Sequence, residues 1–212
     1  MAKKFLIMTY FPELLGKIEM VLFWSIFSYF LGAIPFGLLL VKLMGFGNLK
    51  EIGSGNIGAT NVLRTGSKKA ALLTLIFDFG KGLISVILAR YASGEAASQA
   101  AALMCVIGHC YPVWLRFNGG KGVATLLGVL LALHWPLALF FSLAWVLTAL
   151  FFRISSLSAL IATALLPLTC LLTNEKNMLA LSLILSAIIF WRHKDNIKRL
   201  FSLQESKIGE DL

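Results

Sequence analysis

Charge is scarce in this 212-residue chain. Asp, Glu, Lys and Arg make up 14% of it, where soluble domains carry about 25%. Acidic groups are the scarcer kind, ten Asp and Glu against nineteen Lys and Arg, for a net charge of +9. Cysteine is rare too. Cys105, Cys110 and Cys170 are an odd number, sit in apolar stretches and lack metal-ligand spacing, which excludes a disulfide scaffold and a structural metal centre. No internal repeat or low-complexity run is present. What the chain has instead is apolar mass: 58% hydrophobic residues and a mean hydropathy of +0.85. That excludes disorder, and a chain this short cannot hide so much apolar surface in one aqueous core. Its solvent is lipid. The basic excess, which in a soluble protein would point to nucleic acid, is first of all a topology signal here, and no nucleic-acid partner is expected.

A membrane-crossing helix needs about 20 mostly apolar residues. Six stretches qualify on sight: 21–43, 70–89, 96–114, 123–152, 157–172 and 178–190. The fourth is too long for one span and contains His134-Trp135-Pro136, a polar–aromatic–proline turn of interfacial type. Splitting it there gives seven spans, the fourth (121–133) uncomfortably short. Charge arbitrates. With seven spans and the N-terminus outside, thirteen basic residues fall on the cytoplasmic side and five outside; with six spans the balance reverses to eight and ten. The positive-inside rule selects seven. The expected fold is therefore an all-α integral membrane protein with seven transmembrane helices, N-terminus outside, C-terminus cytoplasmic and a short fourth helix. Residues 1–19 read as an outer interfacial segment, or as lying upstream of a true start at Met20. They are not a cleavable signal, since the apolar core 5–11 is short and no small-residue cleavage site follows. Residues 20–212 read as a single domain.

Under this topology three polar, Gly-rich segments, 45–69, 116–122 and 192–207, share the cytoplasmic face. The first holds Gly53-Ser54-Gly55-Asn56-Ile57-Gly58-Ala59-Thr60-Asn61 and then Arg64. Glycines let backbone amides approach an anion, Ser54, Asn56 and Asn61 add neutral polar groups, and Arg64 can grip phosphate with two bonds. A flexible connector with a topogenic arginine is the plain alternative. Ser54 does not sit in a lipase-type nucleophile elbow, because the flanking glycine positions hold Ile52 and Asn56. In the second segment, Asn118-Gly119-Gly120-Lys121-Gly122 leads into an apolar helix. Free amides, helix dipole and ammonium then all favour a phosphate. It is not a nucleotide loop of Walker A type, since Gly122 stands where Ser or Thr is required. The third segment, Arg192-His193-Lys194-Asp195-Asn196, puts His193 and Asn196 on one face if the last helix continues, with Lys194, Lys198 and Arg199 serving topology and headgroups. Within the spans, Asp78 and Lys81 at i and i+3 read either as a functional pair or as mutual charge compensation. His109 reads as packing or as an orienter of the Gly119–Gly122 loop.

At these residues the chain resembles a known family, the bacterial acyl-phosphate-dependent glycerol-3-phosphate acyltransferases of PlsY type. The likeness runs from about Met20 to the C-terminus. It rests on the string from Ser54 to Arg64, on Asn118-Gly-Gly-Lys-Gly-Val-Ala-Thr125 and on Arg192-His193 through Leu200. The resemblance implies a seven-helix protein of the inner membrane with its active site at the cytoplasmic face. It implies transfer of a fatty acyl group from acyl phosphate, supplied by a soluble phosphate acyltransferase, to the 1-hydroxyl of glycerol 3-phosphate. The products are lysophosphatidic acid and phosphate, and no cofactor or metal is needed. Carried over by position, Ser54, Arg64, Lys121, His193 and Asn196 are the catalytic set. Gly119 to Gly122 form the glycerol 3-phosphate loop, and Glu205 is structural, as Asp78, Lys81 and His109 are also expected to be. One departure is Leu203, where the family pattern has Gly two residues before Glu205. A monomer embedded in lipid is expected. His193 is the obvious base at neutral pH, with Asp78 and a substrate phosphate behind it. A small-anion transporter and a lipid-binding scaffold are the competing classes; the first lacks a polar outer vestibule and an inverted repeat, and the second leaves the glycines without a purpose.

Overall fold

The computed structural model describes residues 2–210, with side chains from residue 16 onward. Among the described residues there is no strand. Helix α1 (Ala2–Gly32) is followed by short α2 (Phe36–Leu43) and α3 (Ala59–Leu63), and by the 43-residue α4 (Lys68–Cys110). Then come α5 (Val123–Leu133), α6 (Trp135–Phe152), α7 (Ser155–Leu172), α8 (Lys176–Arg192) and α9 (Lys194–Phe201). Four segments are long and apolar enough to cross a membrane: Gly16–Leu43, Lys68–Leu115, Trp135–Phe152 and Ser155–Leu172. Large apolar side chains such as Leu22, Leu88, Leu147 and Leu168 face outward, as they must where the solvent is hydrocarbon. Helix α1 runs through Met20; Lys3, Lys4, Pro12 and Glu13 lie outside the described side chains.

Small residues set the helix crossings. Gly32 and Gly108 press α1 onto α4 so closely that a Cβ at either would overlap the facing backbone, at Cys105 and Tyr29. Gly82 and Gly128 do the same between α4 and α5, against Thr125 and Phe79. This is how helices associate in lipid, where close packing replaces the hydrophobic effect. Helix α4 is two limbs: Gly94 breaks it with φ 78° and ψ −165°, a conformation open to glycine almost alone. The chain then folds back, so that Cys105 Sγ reaches Lys81 O at 3.6 Å. The two limbs match the separate stretches expected at 70–89 and 96–114.

The expected first span, 21–43, lies within the apolar segment Gly16–Leu43, but it is not one continuous helix. Helix α1 stops at Gly32 and the chain restarts at Phe36 after Pro35. Proline has no N–H to give the helix and restricts the residue before it. Two polar side chains accommodate the freed carbonyls: Trp114 Nε1 donates to Ala33 O at 2.8 Å and Lys81 Nζ to Ile34 O at 3.0 Å. Lys81 also pairs with Asp78 at 2.7 Å, so this intramembrane pair secures the break as well as cancelling its own charge. The short helix does form. Helix α5 has 11 residues, or about 16 Å, and ends before His134, where Arg90 caps its last carbonyls, at Ala132 (2.7 Å) and Leu133 (3.1 Å). The main core gathers around it, with Leu126, Val129 and Leu130 against Val106, Leu137, Leu166 and Leu185.

Candidate active site

Loops from four places in the chain meet at one end of the bundle. The first is 44–58, and Asn61 organises it. The Asn61 side-chain amide donates to the carbonyls of Asn56 (2.8 Å), Ile52 (3.0 Å) and Leu49 (3.3 Å), while its oxygen accepts from the Ser54 amide (3.0 Å) and hydroxyl (3.3 Å). Asn56 accepts from the Gly58 amide at 2.9 Å, closing the turn into α3. Gly53 adopts a positive φ of 51°, and the Arg64 side chain leans across it where a Cβ would lie 2.5 Å from Arg64 Cδ. Arg64 itself donates to the Ser206 hydroxyl.

The second loop, 116–122, packs onto the end of α4. The amides of Gly119 and Gly120 donate to Cys110 O (3.1 Å) and His109 O (3.0 Å). Arg192 donates to both of their carbonyls, to Gly119 O at 2.7 Å and Gly120 O at 3.0 Å. No room is left for side chains, since a Cβ at Gly120 would overlap the His109 ring. Lys121 and Gly122 then turn into α5, whose first amides have no partner within the helix.

The third and fourth contributions are the start of α7 and the C-terminal segment. Helix α8 ends at Arg192, and α9 begins anew at Lys194 with His193 at the junction. The last helix does not run unbroken through this junction, and His193 is turned inward, 1% exposed. After α9 the chain returns across the site. Glu205 accepts from Asn196 (2.5 Å), Arg199 (2.6 Å) and Ser156 (2.7 Å). Further on, Ile208 N donates to Arg153 O at 2.6 Å and Arg153 Nη2 donates to Ile208 O at 3.1 Å.

These pieces enclose a cavity of about 780 Å³. Ser54, Asn56, Asn61, Arg64, Lys121, Gly122 and His193 line it, with Asp78 and His109 in its wall. The remaining wall is apolar and follows the helices: Leu75, Leu127, Phe141, Trp145, Val146 and Ala159. That combination suits a molecule with an anionic head and a hydrocarbon tail.

Electrostatics divides the polar residues by role. Burial, joined by the charges of Arg199, Arg64 and Arg192, pushes the Lys121 ammonium down to about 8, although Glu205 pulls the other way. Burial, with Lys121 nearby, pushes His193 down to about 4. His193 is thus neutral at pH 7. Its Nδ1 lies 2.8 Å from Ile189 O, a carbonyl that can only accept, so the proton sits on Nδ1 and Nε2 carries the free lone pair. Burial works to raise the pKa of Glu205, but the hydrogen bonds from Ser156, Asn196 and Arg199 hold it below the usual carboxylate range.

Several expected phosphate contacts are elsewhere. Asn118 is exposed and absent from the lining. Gly119 and Gly120 are buried behind it, their amides already engaged. The Asn61 amide is likewise engaged in holding its loop, and Asn196 supports Glu205. Thr60, one of the neutral polar groups of the first segment, lines the cavity, and so do Arg199, Ser155, Gln204 and Ser206, which were not expected there. Arg199 had a signal: it lies three residues after Asn196, on the same face of α9. Ser155 and Ser206 had none beyond polarity. Among the described residues no His, Cys, Asp and Glu cluster could hold a metal. Asp78 Oδ1 lies 3.5 Å from His109 Nδ1, so the buried pair extends to the imidazole that packs on the Lys121 loop.

Comparison with known proteins gives a consistent answer. The family model described as glycerol-3-phosphate acyltransferase matches residues 22–203. A glycerol-3-phosphate acyltransferase of Roseobacter denitrificans is 56% identical over 88% of this chain and 94% of its own length. The protein of the same name from Dinoroseobacter shibae is 54% identical over 93% of this chain and 98% of its own. Among solved structures, the crystal structure of PlsY (YgiH), an integral membrane glycerol 3-phosphate acyltransferase, in its glycerol 3-phosphate form superposes with a TM-score of 0.85 at 40% identity, covering 89% of this chain and 96% of that one. Its lysophosphatidic acid form gives 0.81 at 38% identity, over 89% and 95%. On this evidence of sequence and of architecture, the chain belongs to the glycerol-3-phosphate acyltransferase family.

Proposed function

We propose that this protein transfers a fatty acyl group from acyl phosphate to the 1-hydroxyl of glycerol 3-phosphate, yielding lysophosphatidic acid and inorganic phosphate for phospholipid synthesis. The observation that carries the reading is one cavity in which Arg64, Lys121 and Arg199 stand beside a neutral, buried His193 and an apolar wall. Two phosphates and a fatty chain are the substrates such a cavity would suit. Acyl phosphate is already activated, so the protein's part is alignment and charge stabilisation. Lys121 and the first amides of α5 hold the phosphate of glycerol 3-phosphate. Ser54 and Arg64 hold the acyl phosphate head, and the tail lies along Phe141, Trp145 and Val146. His193 Nε2 takes the proton of the 1-hydroxyl as its oxygen attacks the acyl carbonyl. The carbon–oxygen bond to phosphate breaks, and the proton passes to the departing phosphate. Transfer is direct. Ser54 Oγ donates to the Asn61 oxygen, an amide that cannot activate it as a nucleophile, and its single O–H turns from Asn61 to the acyl phosphate when that substrate binds.

In the same reading α1, the two limbs of α4, and α5 to α8 make seven crossings of the inner membrane, N-terminus outside, with the cavity at the cytoplasmic face. The protein acts as a monomer and receives its donor from a soluble phosphate acyltransferase. Purified protein in detergent, given labelled glycerol 3-phosphate and acyl phosphate, is expected to form lysophosphatidic acid, and coenzyme A or carrier-protein thioesters are expected to fail as donors. Thioester-dependent product with none from acyl phosphate would overturn the donor assignment. A Ser54-linked acyl chain recovered after rapid quench would overturn direct transfer.

A further inference from the structure

Arg192 is absent from the cavity lining, yet it is joined to the loop that carries Lys121. Its Nε donates to Gly120 O at 3.0 Å and its Nη2 to Gly119 O at 2.7 Å. The guanidinium also lies over the Tyr111 ring, 5.2 Å from the centroid. The amides of the same two glycines are held by the end of α4, through Cys110 O and His109 O. The Gly119-Gly120 segment is therefore gripped on both sides, by α4 through its amides and by α8 through its carbonyls. Tyr111 is tethered in turn, its carbonyl accepting from Tyr29 Oη at 2.9 Å. The next residue after the grip is Lys121, and the next residue after Arg192 is His193.

We propose that Arg192 is a positioning residue that fixes the Lys121 ammonium against His193 by clamping the two glycine carbonyls. The planar guanidinium suits the task because it delivers two parallel donors and stacks on Tyr111, whereas a lysine offers a point charge on a flexible stem. Two groups on distant parts of the sequence then share one reference. A movement of the α8–α9 junction carries His193 and, through Arg192, the Lys121 loop with it. A small misplacement of the ammonium weakens the hold on the acceptor's phosphate and misaligns the hydroxyl.

The kinetic consequence rests on the acyl transfer proposed above, so the test includes a readout that needs no activity. Arg192→Gln and Arg192→Lys are compared with the parent in detergent. Hydrogen exchange over residues 116–122 is expected to speed up strongly in Arg192→Gln, with residues 48–58 unchanged. Steady-state kinetics are expected to show the KM for glycerol 3-phosphate rising about tenfold and kcat falling, with the KM for acyl phosphate within about twofold. Arg192→Lys, which keeps the charge, is expected to recover part of both effects. Unchanged exchange in the loop would overturn the clamp. Faster exchange with equal changes in both KM values, or with none, would overturn the positioning role. A parent protein without acyl-phosphate activity would overturn the function instead, while the exchange result would still judge the clamp.

Discussion

At the scale of single residues, the site is governed by a lysine and a histidine that burial pushes toward their neutral forms. In the proposed reaction Lys121 carries its proton to attract phosphate, and with its pKa lowered to about 8 it loses that proton as pH rises through about 8. The profile of kcat/KM for glycerol 3-phosphate should therefore fall above about pH 8, and Lys121→Arg, which stays charged, should remove that limb. In the same proposal His193 is the base and must be without a second proton. With its pKa lowered to about 4, it stays competent down to about pH 4, so any acid limb near pH 6 belongs to the phosphate substrates. His193→Gln should lower kcat at least about a hundredfold and leave such a limb in place; a limb that disappears with the imidazole would contradict the assignment. Asn61 makes a different prediction. Asn61→Asp exchanges the donors that hold three carbonyls for a charge, leaving buried acceptors unsatisfied at a cost of about 1–3 kcal/mol each. Activity should collapse while the remaining helices keep their circular dichroism.

At the scale of elements, glycine acts in two distinct ways, and substitution separates them. Gly128 lies in α5 where a Cβ would overlap Phe79 O, so Gly128→Leu should force α4 and α5 apart and lower the melting temperature sharply. Gly94 has open space around it but a φ of 78°, so Gly94→Ala should cost only backbone strain, about 1–3 kcal/mol. Equal losses for the two variants would contradict this distinction. The elements also show what could be read from the chain in advance. The long apolar helices, the interruption at His134 and the brevity of α5 follow from hydropathy and one Pro-containing triplet. The break at Gly32–Pro35 was not legible, because a helix in lipid tolerates Gly and Pro wherever side chains re-satisfy the carbonyls. Those side chains, Trp114 and Lys81, are 81 and 47 residues from the carbonyls they serve.

For the whole molecule, several residues that line the cavity were legible in the sequence and their arrangement around it was not. Ser54, Arg64, Lys121 and His193 stand out because phosphate chemistry has few polar options in an apolar chain. Arg199 is passed over despite its register with Asn196, because one arginine among Lys194 and Lys198 reads as a topology charge until Glu205 is seen to turn it inward. Gly119 and Gly120 mislead in the opposite sense: their amides look available in sequence and are engaged in the fold. The proposed topology can be checked directly. Single cysteines replacing Lys176 and Lys207, in a background lacking Cys105, Cys110 and Cys170, should react with impermeant maleimide only from outside at 176 and only after permeabilisation at 207. The opposite pattern would reverse the orientation.

The 11 residues of α5 span about 16 Å, roughly half the hydrocarbon thickness of a bilayer. In the proposed seven-span topology the deficit is made up at its two ends, by Arg90 at one and by the Lys121 turn at the other. The proposed phosphate site therefore begins below the level of the surrounding headgroups. A mixed anhydride bound there can offer its carbonyl without its chain leaving the oil, in a place where bulk water competes poorly with glycerol. Shortening one helix would thus protect the proposed acyl phosphate donor by depth, with no moving lid required.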